Sequence, residues 1–287
     1  MATLSATISA PPAYSHDDAI VHMRNDPRLA DTVRDNYIGA DVLEAATRFA
    51  RSAEFTEVVA LLAGVRGKTV VDIGAGNGIA SYAFASAGAD RVYAIEPDDS
   101  PIVGRQAMRT IIGGLPIRLL AGVGEHIPLP DGCADVVYVR ATLHHVQDLD
   151  RFAAESARLL RRGGMFIACR EHVAENEREL SRFLADHPLH RLAGGEYAYP
   201  VDGYRGAILR AGLHVERTLG PWDSIVNAFP TVQTNDELRD LVATRLRRRL
   251  GRLRGLSALT RALEPLLALW VRRPVPGRLY SFVATKE

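Results

Sequence analysis

Apolar residues recur at helical spacing through the first part of the chain, between about residues 26 and 65. Leu29, Val33 and Tyr37 form one such series, and no strand-like alternation of apolar and polar positions interrupts it. Residues three and four positions apart share one face of a helix, so this spacing predicts two or three helices.

Beyond residue 66 the pattern changes to short runs of β-branched residues that alternate with helical stretches. The predicted strands are residues 69–73, 91–95, 117–120, 135–139, 165–169, 214–219 and 279–285. The predicted helices between them are residues 79–87, 99–112, 148–161 and 201–211. This alternation is typical of βαβ units. It predicts an α/β fold with a seven-stranded, mainly parallel sheet and helices on both faces.

A single domain is predicted over residues 18–287, after a loose tail formed by residues 1–17. Its length suits one elaborated α/β unit. Its parts are an N-terminal helical part (18–66), a core that holds the ligand (67–221), a helical basic insertion before the last strand (222–277) and the final strand (278–287).

Composition and cysteine usage narrow the class of protein. The 287 residues include 35 Lys and Arg against 34 Asp and Glu, and 47% are hydrophobic, as in a globular chain with a large core. Cys133 and Cys169, the two cysteines, lack the spacing of metal ligands, so no metal site is expected. Few cysteines and the lack of a secretory signal favour the cytoplasm. No apolar run reaches the roughly 20 residues that span a bilayer.

Positive charge is concentrated near the end of the chain. Residues 236–287 contain 11 Arg and one Lys against five acidic residues. Leucines recur at helical spacing with arginines between them, which predicts a basic amphipathic segment over residues 238–271. One hypothesis is peripheral contact with an anionic membrane. The alternative is a helical cap that packs on the domain or forms a homodimer.

A glycine-rich turn after the first predicted strand carries the strongest chemical signal. Gly74, Gly76 and Gly78 stand at alternate positions, where the missing Cβ lets the backbone turn sharply and approach a ligand. Asp72 precedes the turn and could face a positively charged amine. Glu96 closes the second strand and could accept hydrogen bonds from two ribose hydroxyls. Because the carboxyl ends of parallel strands share one edge of the sheet, these residues predict a cofactor site there.

Two other interpretations of the turn remain open from the residues alone. The glycines could simply make a tight turn, with Glu96 solvated at a strand end. A nicotinamide-dependent dehydrogenase also uses such a turn, but its G-x-G-x-x-G spacing needs a glycine where Ile79 stands. The acid at Asp72 would also be a poor neighbour for the pyrophosphate of a dinucleotide.

The pattern Asp72-x-Gly74-x-Gly76-x-Gly78 resembles the first motif of class I S-adenosylmethionine-dependent methyltransferases. Residues 124–137, 143–146 and 158–164 resemble, in order, later segments of the small-molecule branch of that superfamily. The continuous resemblance covers about residues 68–169, and a looser one continues to residue 286. It implies a Rossmann-like fold, S-adenosyl-L-methionine as cofactor and methyl transfer to another molecule.

The resemblance also implies where the cofactor lies. Its amino-acid end would contact the glycine-rich turn, and its ribose the end of the second strand. Its adenine would contact the loop after the third strand, where Val123 stands in place of the aspartate of many relatives. Its methionine part, or the substrate, would meet the end of the fourth strand. The implied cofactor-binding residues are Asp72, Gly74, Gly76, Asn77, Glu96, Pro97, Gly124, Glu125 and Arg140.

Four candidate catalytic residues follow the fourth and fifth strands. His145 is predicted to face the site and to accept a proton from a hydroxyl nucleophile, while the adjacent His144 is predicted to pack. Glu171 and His172 could orient or deprotonate the substrate, and an ordinary surface position is the alternative for each. Residues 187–197 are expected to cover the substrate.

The acceptor is expected to be a small molecule with an oxygen or nitrogen nucleophile. The acceptor could be anionic, sugar-containing or lipid-linked, and the basic insertion agrees with an anionic or lipid-linked one. Nucleic acid is not expected, because the chain has neither an Asn-Pro-Pro-Tyr type motif nor a catalytic cysteine in the corresponding loop. A non-catalytic homologue that binds the same cofactor is the alternative function.

Overall fold

One seven-stranded sheet organises the structure, a computed structural model that describes residues 13–250 and 278–287. The strands are β1 (Thr69–Ile73), β2 (Arg91–Ile95), β3 (Ile117–Leu120), β4 (Ala134–Arg140), β5 (Leu160–Val173), β6 (Leu213–Leu219) and β7 (Arg278–Lys286). Their order is β3-β2-β1-β4-β5-β7-β6. The first five strands are parallel, and β7 runs antiparallel to both of its neighbours. The predicted mainly parallel, seven-stranded sheet is confirmed.

Helices cover both faces of the sheet. They are α1 (His16–Asn25), α2 (Ala30–Asp35), α3 (Val42–Ala50), α4 (Ala53–Leu61), α5 (Ile79–Ser86), α6 (Arg105–Arg109), α7 (Leu149–Leu159), α8 (Glu177–Asp186), α9 (Pro188–Ala193), α10 (Val201–Arg210), α11 (Ile225–Ala228) and α12 (Asn235–Leu250). Helices α3, α4 and α5 pack on one face, and α7 and α10 on the other. Each described helix is too short or too polar to cross a bilayer.

The two faces have separate apolar cores because successive side chains of a strand point in opposite directions. In β4, Val136 and Tyr138 join the core beneath α3 to α5, while Val137 and Val139 join the core beneath α7 and α10. The sheet is therefore buried on both sides. Its polar chemistry is confined to the strand ends and to the loops that follow them.

The predicted helix over residues 148–161 ends earlier, at Leu159. Leu160 is buried and pairs with Ala134, so β5 begins at once. Gly163 does adopt a positive φ, of 72°, but it shapes an irregularity in β5 rather than a helix end. Burial of Leu160 between the sheet and α7 therefore overrides the local helix-ending signal of the two glycines.

The predicted helix over residues 99–112 is also wrong over most of its length, because α6 covers only Arg105–Arg109. The hydroxyl of Ser100 accepts hydrogen bonds from the backbone N–H groups of Ile102 and Val103. Asp98 accepts one from the N–H of Ser100. These side chains offer the backbone an alternative to helical hydrogen bonds, so a turn forms first.

The N-terminal part begins with α1 at His16, ahead of residue 18. The helices predicted between residues 26 and 65 are present as α2, α3 and α4, and a 3-10 turn at Pro27–Leu29 precedes them. In the predicted insertion, α11 and α12 precede a segment, residues 251–277, that lies outside the described residues. The apolar part of the predicted segment 238–271 belongs to that range.

Candidate active site

A cleft of about 770 Å³ opens at the carboxyl edge of the sheet. Open α/β sheets generally bind ligands at this edge, outside the carboxyl ends of the strands. Of the candidate cofactor-binding and catalytic residues, all but Glu171 line it. They are Asp72, Gly74, Gly76, Asn77, Glu96, Pro97, Gly124, Glu125, Arg140, His144, His145 and His172. The cleft has a glycine-rich half and a histidine-rich half.

The turn between β1 and α5 adopts the backbone that its glycines permit. The φ angles of Gly74, Gly76 and Gly78 are 72°, 54° and 84°, in the left-handed region that disfavours other residues. A Cβ on Gly74 would collide with the Thr142 side chain. The Asn77 amide donates to the Tyr37 carbonyl at 3.0 Å, which ties the turn to the N-terminal helical part.

Glu96 connects the end of β2 to this turn. Its Oε2 accepts a hydrogen bond from the N–H of Gly76 at 2.8 Å, and its Oε1 accepts one from the N–H of Asp98 at 2.9 Å. Burial raises the pKa of Glu96. Each carboxylate oxygen accepts one backbone hydrogen bond here. Since such an oxygen has a second lone pair, the group can also accept from ligand hydroxyls.

Asp72 lies buried below the turn, on β1. Its Oδ2 accepts a hydrogen bond from the Ser81 hydroxyl at 2.6 Å. Burial raises the pKa of Asp72 to about 7. Within residues 13–250 and 278–287, no cationic side chain forms an ion pair with it. A ligand ammonium group would therefore supply the missing counter-charge.

Arg140, at the end of β4, is engaged by a buried partner that the sequence did not reveal. Its Nε donates to Oε1 of Glu54 at 2.7 Å, and a second guanidinium nitrogen donates to Oε2 at 3.2 Å. The guanidinium also lies 5.4 Å from the ring centre of Tyr37. Burial opposes its charge, but Glu54 raises the pKa of Arg140. The ion pair holds Arg140 at the cleft wall.

The loop after β3 forms the third wall of the glycine-rich half. Val123 is 49% exposed and makes an isolated bridge to His126. Gly124 lies against the Phe152 ring, so that any Cβ there would collide with it. Glu125 is partly buried at the cleft. The backbone of Gly124 can thus approach a ligand closely, which a larger residue would prevent.

Helix α1 forms part of the cleft wall, which sequence reasoning missed. Its Ile20 and Met23 line the cleft, as does His16 at its first turn. Arg24 anchors the helix by donating to the Ile38 carbonyl at 2.7 Å. The three-residue spacing of Ile20 and Met23 predicts an apolar helix face, but it does not predict which part of the protein that face covers.

His144 is fixed between two buried carboxylates in the histidine-rich half. Its Nδ1 lies 2.9 Å from Oε2 of Glu171, and its Nε2 lies 3.3 Å from Oε2 of Glu196. Burial alone would lower the pKa of His144, but Glu171 and Glu196 raise it to about 9. The packing position predicted for His144 agrees with its burial, but its two ionic neighbours were not foreseen.

Glu171 is fully buried, so the surface alternative for this residue is wrong. Besides the His144 ring, its carboxylate accepts hydrogen bonds from the backbone N–H groups of Thr142 and His144, at 3.1 and 3.2 Å. It faces this loop because β5 is irregular between Ala168 and Glu171, where Arg170 has a φ of 59°. Glu171 therefore supports the cleft from below instead of facing the acceptor.

Glu196 is another site residue that the sequence did not single out. Its side chain is 4% exposed, and it belongs to the stretch 187–197 that was expected to cover the substrate. Its Oε2 forms a 3.3 Å ion pair with Nε2 of His144, but no regular hydrogen bond reaches this oxygen in the described part of the chain. Burial would raise the pKa of Glu196, but His144 and His145 lower it to about 2.

His145 and His172 complete the histidine-rich half. The His145 side chain is 44% exposed, its ring centre lies 4.2 Å from that of His144, and its Nε2 is 3.8 Å from Oε2 of Glu196. Burial and the charge of His144 lower the pKa of His145. His172 packs with its ring centre 4.9 Å from His144 and 5.4 Å from His187. His145 is the more accessible member of the predicted pair.

Comparison with known proteins agrees with this geometry. Residues 71–168 match the family model described as a methyltransferase domain. The demethylmenaquinone methyltransferase of Thermobifida fusca is 29% identical over 149 residues, which are 50% of this chain and 61% of that protein. The ubiquinone biosynthesis O-methyltransferase of Agrobacterium fabrum is 28% identical over 179 residues, which are 60% of this chain and 71% of that protein. The chain thus spans less than two thirds of the first of these relatives.

A solved structure shows the same fold. The S-adenosylmethionine-dependent methyltransferase from Mesorhizobium loti superposes with a TM-score of 0.55 at 19% identity, over 83% of this chain and 100% of that one. The chain thus forms a Rossmann-like α/β domain with a cleft at the carboxyl edge of its sheet. The domain match over residues 71–168 and the shared fold support a class I S-adenosylmethionine-dependent methyltransferase with S-adenosylmethionine as cofactor. This match disfavours the dehydrogenase alternative.

Replacing Glu96 by alanine tests the glycine-rich half of the cleft as the cofactor site. Loss of a charged acceptor of hydrogen bonds should weaken binding of S-adenosylhomocysteine by about 1.5–3 kcal/mol, or roughly 10- to 100-fold. Isothermal titration measures this, with Glu177→Ala on the exposed first turn of α8 as the matched control. An unchanged affinity of Glu96→Ala, in a protein that melts normally, would contradict the assignment.

Proposed function

We propose that the chain transfers the methyl group of S-adenosylmethionine to an oxygen or nitrogen atom of a small molecule. The observation that carries this proposal is the continuous cleft, with the glycine-rich turn and Glu96 at one end and the histidines at the other. A methyl donor and an acceptor can meet in one such cleft. Alignment of the reacting atoms is the main contribution that a protein makes to this kind of displacement.

The residues of the glycine-rich half suit the cofactor. Asp72 would pair with its ammonium group, and Glu96 would accept hydrogen bonds from its ribose hydroxyls. The backbone of Gly76 can approach the ligand closely, since the nearest heavy atom to a Cβ placed there is the Val103 carbonyl oxygen, at 3.5 Å. Arg140 would hold Tyr37 and the turn in place through its ion pair with Glu54. The bound cofactor supplies a methyl group activated by a sulfonium.

The acceptor would lie in the histidine-rich half, where His145 is the accessible imidazole. A hydroxyl acceptor must lose its proton, and His145 is the side chain proposed to take it. An oxygen acceptor is favoured because a relative over 60% of this chain is named as an O-methyltransferase. A quinone-related or phenolic acceptor is therefore the first class to try.

The pH dependence of cofactor binding follows from Asp72. Its pKa of about 7 means that the carboxyl is mostly protonated at acidic pH, whereas the ligand ammonium favours the ionised form. Binding should then release a proton, and affinity for S-adenosylhomocysteine should fall roughly tenfold between about pH 7 and pH 5.5. Titration calorimetry at several pH values measures this. The control Asp72→Asn should bind weakly with little pH dependence; an equal slope in both proteins would refute the assignment.

Methyl transfer itself can be tested with acceptor panels. The protein, S-adenosylmethionine and phenolic, hydroxyquinone, carboxylic or amine acceptors are incubated, and S-adenosylhomocysteine release is measured. We expect turnover with at least one oxygen or nitrogen acceptor, and His145→Ala should lower it by about 100-fold while cofactor affinity stays nearly unchanged. Cofactor binding without turnover on any acceptor would favour the non-catalytic homologue. A lowered melting temperature of His145→Ala would favour a packing role.

The partner proposal for the basic insertion concerns α12 and the residues that follow it. We keep peripheral membrane contact and homodimer formation as alternatives, since the acceptor could be anionic or lipid-linked. If the membrane alternative holds, the protein should sediment with anionic vesicles at about 50 mM salt, where charges are weakly screened, and the triple variant Arg247→Glu, Arg248→Glu, Arg249→Glu should not. Sedimentation of neither protein would leave the cap or homodimer.

A further inference from the structure

Three potential metal ligands converge at the histidine-rich end of the cleft. His144, His145 and Glu196 each offer one ligand atom, and these three atoms all lie within 4.8 Å of one another. The two Nε2 atoms are 3.3 and 3.8 Å from Oε2 of Glu196. Ligands that bind zinc tetrahedrally at about 2.0–2.2 Å lie roughly 3.3–3.6 Å apart, so both nitrogens already lie close to the distance from Oε2 that a shared ion requires.

The buried oxygen of Glu196 is a second, independent observation. The Glu196 side chain is only 4% exposed, and its Oε2 has no hydrogen-bond partner among the described residues. Buried polar atoms are nearly always satisfied, because an unpaired one keeps the cost of its lost hydration. This oxygen points at two imidazoles, so a cation held between them would satisfy it.

The outer contacts of both histidines prepare their Nε2 atoms for a metal. Nδ1 of His144 faces the Glu171 carboxylate at 2.9 Å, and Nδ1 of His145 faces the Gly195 carbonyl at 3.3 Å. Each of these oxygens accepts hydrogen bonds, so the ring hydrogen belongs on Nδ1 and the lone pair on Nε2. Carboxylate or carbonyl support of this kind is usual for histidines that bind metals.

A lone pair on Nε2 of His144 would face the negatively charged oxygen of Glu196, which is unfavourable unless a positive charge lies between them. Either a proton or a metal ion can fill that role. A proton satisfies only the pair of His144 and Glu196, whereas a metal ion also engages His145. The convergence of all three atoms therefore favours the ion.

We propose that His144, His145 and Glu196 bind one divalent cation of the zinc class. Two imidazoles and one carboxylate are typical protein ligands of catalytic zinc, which keeps an open coordination position. That position would face the cleft, because His145 is partly exposed and all three side chains line it. From the sequence, no metal site was expected, because the two cysteines lack the spacing of metal ligands. The site proposed here contains no cysteine, so that expectation did not address it.

The role of the ion rests on the proposed function. An acceptor hydroxyl bound at the open position would form an oxygen–metal bond and release its proton to solvent, because a bound cation lowers the pKa of its ligand. The oxygen would then attack the methyl carbon as the carbon–sulfur bond breaks. In this case His145 is a ligand, and not the proton acceptor.

Zinc titration of the full chain tests the site without any acceptor or cofactor. After treatment with a chelator, the protein is titrated with Zn²⁺ in competition with a chromophoric chelator, and Co²⁺ replaces Zn²⁺ to report tetrahedral ligands by its visible absorption. We expect one ion per chain. Glu196→Gln and His145→Ala should each weaken binding by at least about tenfold, whereas Glu177→Gln, the same change on the surface, should not.

Two results would overturn the proposal: no stoichiometric ion in the wild-type chain, or equal affinity in Glu196→Gln and Glu177→Gln. A melting curve of each variant separates misfolding from ligand loss, and the half-exposed His145 provides a variant that is expected to fold. A protein that binds zinc but not S-adenosylhomocysteine would refute the proposed function and leave the metal site standing. A protein that binds S-adenosylhomocysteine but not zinc would refute the metal site and leave the proposed function standing.

Discussion

The carboxylate of Glu171 fixes the loop on which the histidine-rich half of the cleft depends. It accepts hydrogen bonds from two backbone N–H groups of that loop, and it faces Nδ1 of His144. One buried carboxylate therefore sets both the path of the loop and the orientation of the His144 ring. A buried carboxylate without such partners would be costly, and here each of its contacts also positions a neighbour. Glu196 and His145 then take their places around a ring that cannot rotate.

The glycine-rich half is organised by the same principle on a larger scale. Glu96 joins β2 to the turn after β1, and the Glu54–Arg140 ion pair joins α4 to the end of β4. Removal of one member of a buried ion pair commonly costs about 3–5 kcal/mol, because the other charge is left unpaired. Buried acids thus connect adjacent elements around the cleft, and the ligand contacts build on connections that the protein already has.

Much of the fold could be predicted because strand patterns in a parallel sheet are local. Three strands have the predicted bounds, and the turn at Gly74 to Gly78 was identifiable since only glycine allows its backbone. The end of α7 and the turn at Ser100 were missed because burial and side-chain hydrogen bonds overrode helical spacing.

The partners of the site residues are harder to predict, because they come from distant positions. Glu54 meets Arg140 across 86 residues, and Glu196 reaches His144 from a stretch whose sequence shows only polar and glycine-rich character. No periodicity relates such residues, since their contact depends on how helices and loops return to the sheet edge. The residue types in the loops after β4 and β5 predicted chemistry there, but the arrangement needed the fold.

The position of β7 has a consequence for the order in which this site can be assembled. The strand enters between β5 and β6, and Tyr280 pairs with Glu171. Until residues 278–286 leave the ribosome, β5 and β6 present unpaired backbone edges that invite contacts with other chains. The support beneath His144 is therefore completed by a strand that is synthesised after the other six strands of this sheet. The glycine-rich half can form earlier, because the strands that build it precede β7 in the chain.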